Sequence, residues 1–91
     1  MDYEWDPDKA ASNERKHGIK FVDAIGAIED SWGLTAQEEY VDGELRFATI
    51  GLDFRFRIIV VVYTYRENNI RLITARPTTK NERRAYESKR I

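Results

Sequence analysis

His17 is the only histidine among the 91 residues and, since cysteine is absent, the one side chain whose ordinary titration falls near neutral pH. It is the first candidate to exchange a proton with a substrate. The competing reading is a histidine that closes a helix and merely complements the helix dipole. Chemistry at a phosphate also needs cations, and Arg46, Arg71, Arg76, Lys80, Arg83 and Arg84 are the candidate phosphate partners. Lys16 joins them as a contact residue, although on a helix it points elsewhere than His17 and is commonly just solvated. Arg76 directly precedes Pro77, which fixes the backbone and holds the guanidinium at a sheet edge as a phosphate clamp. The alternative for Arg76 is a buried ion pair with an N-terminal carboxylate such as Glu4 or Asp6. Arg71 lies an odd number of residues away, so on a regular strand the two arginines face opposite sides, and only a bulge changes this. Glu82 is a candidate general base, but its spacing from Thr79 is that of a capping box, which gives it a structural task already.

These residues sit in a chain of divided charge. Residues 1–54 hold five Lys/Arg against thirteen Asp/Glu, a net of −8, and residues 55–91 hold ten against three, a net of +7. A basic second half gathered on one face attracts a polyanion in a salt-dependent way. The other possibility is that the two halves pair across the fold. Without cysteine there is no disulfide and no thiolate zinc site, and a lone histidine forms no histidine cluster, so neither a metal nor a cofactor is expected. The acidic start MDYEWDPDKA is unlike a signal peptide, and the longest apolar run, Ile58 to Tyr63, is too short to cross a bilayer. A cytoplasmic, soluble protein without membrane contact is expected, folded as a single domain over residues 1–91.

The elements that must position the candidates follow from local signals. Asp6-Pro7-Asp8 opens a helix that Gly18 closes, predicting a helix from about Pro7 to His17 behind a brief strand at Tyr3–Trp5. Phe21, Ala24, Ile25 and Ile28 mark one face of a second helix over Phe21–Asp30, which lacks a good cap at Lys20. Asp42-Gly43 joins strands Leu34–Val41 and Leu45–Leu52 as a hairpin. A turn around Asp53-Phe54 leads to Phe56–Tyr65, whose IIVVV core predicts a central strand covered on both sides. Tyr63 belongs to that core, with its hydroxyl bonded. Asn68-Asn69 turns the chain into Ile70–Ala75, and the Thr79–Glu82 box opens a basic helix over Lys80–Lys89. The expected fold class is α+β: a short N-terminal strand, two helices, a four-stranded antiparallel sheet and a C-terminal helix.

Nearly the whole chain resembles the BrnT family of type II toxins, whose fold is RelE-like. The stretches that carry the resemblance are YEWDPDKAASNERKHGI at 3–19, FVDAIGAIED at 21–30, DGELRFATIG at 42–51, VVYTYR at 61–66 and IRLITARPTTKNERRAYE at 70–87. The departures are small: Thr74 stands where a serine is common, Pro77 follows the arginine, and Lys20 replaces a small polar cap. The resemblance implies an RNA endonuclease that inhibits translation and growth. It also implies a ribbon-helix-helix antitoxin, BrnA-like, that neutralises the toxin in a 2:2 complex and alone contacts operator DNA. Metal-independent cleavage with the 2′-hydroxyl as nucleophile needs a base, an acid and cations. That assigns His17, Arg76 and Glu82 to catalysis and Lys16, Arg46, Arg71, Lys80, Arg83, Arg84 and Tyr86 to RNA binding. Arg83 and Tyr86, three apart, share a side of the last helix, where Tyr86 either stacks on RNA or packs inward. The alternative function is a non-catalytic binding module acting as partner and co-repressor of a ribbon-helix-helix protein.

Overall fold

The computed structural model describes residues 2–89, with Gln37 and Glu38 as backbone only. Its elements in chain order are β1 (Tyr3–Glu4), α1 (Pro7–His17), α2 (Phe21–Glu29), β2 (Leu34–Val41), β3 (Glu44–Leu52), β4 (Ile58–Arg66), β5 (Asn69–Pro77) and α3 (Lys80–Lys89). Asp6 caps α1 by accepting the Asp8 N–H at 2.9 Å, and Gly18 ends it at φ 70°. Lys20 opens α2 without any side-chain cap, so packing of its apolar face holds that helix start in place.

The described strands form one five-stranded sheet in the order β1-β5-β4-β3-β2. This corrects the expected four-stranded antiparallel sheet. β1 joins as an edge strand parallel to β5, with Tyr3 opposite Ile70 and Glu4 opposite Arg71, so the sheet is mixed. A two-residue strand carries too little pattern to reveal its partner. β4 lies at the centre, with Ile59, Val60 and Val61 all buried, as its β-branched run requires. Two turns also differ from expectation. The β4–β5 turn uses Glu67 and Asn68, both at positive φ, one residue earlier than Asn68-Asn69. The β3–β4 connection extends to Arg57, which delays β4 to Ile58.

One face of the sheet carries the main core. Ile59, Val61 and Tyr63 of β4 and Leu72 and Ala75 of β5 pack with Ile19 and with Phe21, Ala24 and Ala27 of α2. The Tyr63 hydroxyl lies 2.8 Å from that of Thr49, which lies 2.8 Å from that of Thr35, so the aromatic body is buried with its polar tip bonded. Opposite that core, α3 covers one end of the second face. Tyr86 is buried and donates to Asp30 Oδ2, while Glu82 shares a depression with Leu34, Ala48, Ile50 and Val60.

Candidate active site

β5 organises the candidate residues, and a bulge decides how. Val62 pairs with Thr74 and Tyr63 with Leu72, so Ile73 is an extra residue in β5. Residues paired across adjacent strands share a face, and an inserted residue restores the parity that an odd spacing breaks. Arg76 stands opposite Val60, Thr74 opposite Val62 and Arg71 opposite Thr64, all on the second face. Arg46 of β3 also pairs with Thr64 and completes the set. The expectation that Arg71 and Arg76 face opposite sides is thus corrected by the bulge at Ile73.

Arg76 and Glu82 hold each other in a fork. Nη1 reaches Oε1 at 2.8 Å and Nη2 reaches Oε2 at 2.9 Å, while Nη1 also donates to the carbonyl of Pro77 at 3.1 Å. The capping box forms as its spacing predicts: the Thr79 N–H donates to Glu82 Oε1 at 2.8 Å and the Glu82 N–H to Thr79 Oγ1 at 3.2 Å. The Arg76 guanidinium, followed by the Thr79 amide, holds the Glu82 carboxyl down to about 2. Arg76 therefore pairs with Glu82 rather than with Glu4 or Asp6. It is Arg71 that takes Glu4, at 2.8 Å, and that bond keeps the Glu4 carboxyl below its ordinary value.

His17 and Lys16 lie at the end of α1 and line an open depression with Lys9, Ile73 and Thr74. Thr74 belongs to both neighbourhoods: it lines the same depression as His17, and by register it stands between Arg71 and Arg76 on the second face. Asn13 fastens α1 to this strand. Its side chain accepts the Ala75 N–H at 3.0 Å and donates to the Ala75 carbonyl at 2.9 Å and the Ile19 carbonyl at 3.1 Å. The amide thus replaces the neighbouring strand that β1, ending at Glu4, is too short to supply. Nothing in the spacing of Asn13 announces this role, because its partner is 62 residues away.

The remaining cations are dispersed. Arg83 pairs with Glu87 at 3.4 Å on the exposed side of α3, and Lys80 and Arg84 are exposed. Tyr86, 1% exposed, presents no ring to RNA, which corrects its assignment as a stacking residue in favour of inward packing. Arg66 pairs with Glu44 at 2.6 Å and Arg57 with Asp53 at 2.8 Å. Arg46 differs: its Nε is buried and has no hydrogen-bond partner among the described residues.

Residues 5–82 match the family model described as a ribonuclease toxin, BrnT, of a type II toxin-antitoxin system. The chain belongs to the BrnT family. No curated protein resembles it closely enough to count as a match. Membership makes RNA the substrate and an antitoxin the partner of this BrnT chain. The matched span contains His17, Arg46, Arg71, Thr74, Arg76 and Glu82 and ends within the first turn of α3. Among the described residues no group of three or more His, Cys, Asp and Glu side chains is placed to hold a metal ion, and no helix is long and apolar enough to cross a membrane.

Proposed function

We propose that this BrnT-family toxin cleaves RNA without a metal ion along β5, where a phosphate meets the second-face arginines and His17 approaches over the strand's outer edge. The observation that carries this is the Ile73 bulge, which puts Arg71, Thr74 and Arg76 on one face with Arg46 across from them. In the reaction the 2′-oxygen loses its proton to a base and bonds to phosphorus. The bond from phosphorus to the 5′-oxygen breaks, and that oxygen gains a proton. His17 exchanges a proton, and the guanidinium groups stabilise the charge developing on the phosphoryl oxygens. Both Glu82 oxygens are engaged by Arg76, and a carboxyl held to about 2 is a poor proton acceptor near neutrality. Glu82 therefore positions Arg76 in this scheme rather than serving as base.

The antitoxin in this proposal is a dimeric ribbon-helix-helix protein in a 2:2 complex that covers the cationic face in the cytoplasm, since an inhibitor gains most by occupying the surface RNA needs. Purified protein is expected to degrade RNA in the presence of a chelator, and its induced expression alone is expected to arrest growth. Arg76→Ala and His17→Ala should each lower cleavage about tenfold or more while the protein still folds. Full turnover by both variants removes the site assignment. A second reading, the non-catalytic co-repressor partner, is favoured by one feature: Arg71, Arg76 and Arg83 already carry carboxylates. Intact RNA and undisturbed growth would establish it.

A further inference from the structure

The turn between β3 and β4 displays an aromatic ring that contributes nothing to the core. Phe56 is 83% exposed and has φ 63°, a left-handed conformation costly for a bulky side chain. The surroundings enforce it. Asp53, buried, accepts the N–H groups of Arg55 at 2.9 Å and Arg57 at 2.8 Å through Oδ1, and the Arg57 Nε–H at 2.9 Å through Oδ2. The Phe56 N–H closes the turn onto the Asp53 carbonyl at 3.0 Å. From α2, the Asp23 carbonyl accepts the Phe54 N–H at 3.0 Å, and only glycine fits at Gly26, where a Cβ would lie 2.6 Å from the Phe54 nitrogen. The ring of Phe56 is thus held out on a rigid support.

Position gives the ring a use. Arg57 Nη1 donates to the Gly18 carbonyl at 3.1 Å, tying the turn to the end of α1 one residue beyond His17. Thr78 donates to the Ile58 carbonyl at 3.3 Å, so the segment between Arg76 and Glu82 borders the same end of the sheet. Arg55 is exposed, and its side chain has no ion-pair partner among the described residues. We propose that Phe56 is a stacking platform for one base of single-stranded RNA, with Arg55 meeting an adjoining phosphate. An exposed aromatic ring on a fixed backbone beside a cation is what sequence-tolerant binding of a single strand requires. Phe54, 55% exposed two residues earlier, also reaches solvent, and Arg55 and Arg57 flank Phe56 in sequence, a mixture of rings and cations that suits a polyanion. The inference rests on the ribonuclease reading for the identity of the polymer.

The test uses a single-stranded RNA oligonucleotide with 2′-O-methyl riboses, which resists attack by its own 2′-oxygen, and a 2-aminopurine base whose fluorescence is quenched on stacking. The intact protein is expected to bind and quench. Phe56→Ala should weaken binding by about fivefold or more, the low end for one base on an aromatic ring, and abolish the quench. Phe56→Trp should restore both, and Arg55→Ala should weaken binding while keeping the quench. Wild-type affinity and quench in the Phe56→Ala protein overturn the proposal. If that variant instead escapes a co-expressed antitoxin while binding RNA normally, the turn is a protein-docking surface, and the proposal falls equally. Phe56-dependent binding by a protein that cuts no RNA would refute the ribonuclease reading and leave the platform standing.

Discussion

Arg76 and Glu82 are joined by two parallel hydrogen bonds of 2.8 and 2.9 Å, so the same guanidinium edge cannot serve a carboxylate and a phosphate at once. In the proposed site, RNA binding at Arg76 is an exchange of partners whose threshold Glu82 sets. The folded-state value near 2 lies below the 4.5 of a free carboxyl, so the pair stabilises the fold above pH 4.5 and loses that contribution as the pH falls toward 2. The thermal midpoint of the native protein should drop across this window by more than that of a Glu82→Gln variant, and equal slopes would show that the pair is not kept in solution. At neutral pH the same variant should change cleavage by less than about tenfold, because removing a true general base costs roughly 10²–10⁴-fold. The pairing of Thr79 with Glu82 was legible from their spacing, since a capping box is local. The capture of Arg76 by that box was not, because it depends on how α3 folds back beside β5.

β5 combines two devices that substitute for missing regularity. Its bulge realigns the arginines, and Asn13 bonds to an edge that β1 leaves open. Asn13→Ala should leave both backbone groups of Ala75 unpaired in a buried site, at about 2 kcal/mol or more, readable as a lower denaturation midpoint in urea. Stability within a few tenths of a kcal/mol of the original would mean water replaces the amide. The helices follow from their caps and apolar period, because both act within a turn or two of chain. The strand end near Phe56 does not follow from local pattern, because β-branched and aromatic residues there suggest a strand where Asp53 gathers a turn.

The divided charge is resolved by the fold as a whole. Among the described residues the ion pairs Arg57–Asp53, Arg66–Glu44 and Arg71–Glu4 join the basic half to the acidic one. On the second face of the sheet the charge left unpaired among the described residues is Arg46, and in the proposed site Arg71 and Arg76 join it once their carboxylates exchange for phosphate. Binding of single-stranded RNA should weaken with salt, with a slope of log affinity against log salt near about −2 if these three each meet a phosphate, at about −0.7 per contact. A flat response would show that the basic half serves the fold alone.

Residue order alone was enough for the helices, the β2–β3 hairpin, the buried central strand, the absence of thiolate chemistry and the resemblance to BrnT toxins, because each rests on neighbours within a few positions or on the sum of many short matches. Folding in three dimensions was needed for the parallel place of β1, the parity of Arg71 and Arg76, the partner of each guanidinium, the burial of Tyr86 and the display of Phe56. Those features depend on contacts between distant segments, and a single inserted residue at Ile73 reverses which side of the sheet a charge occupies.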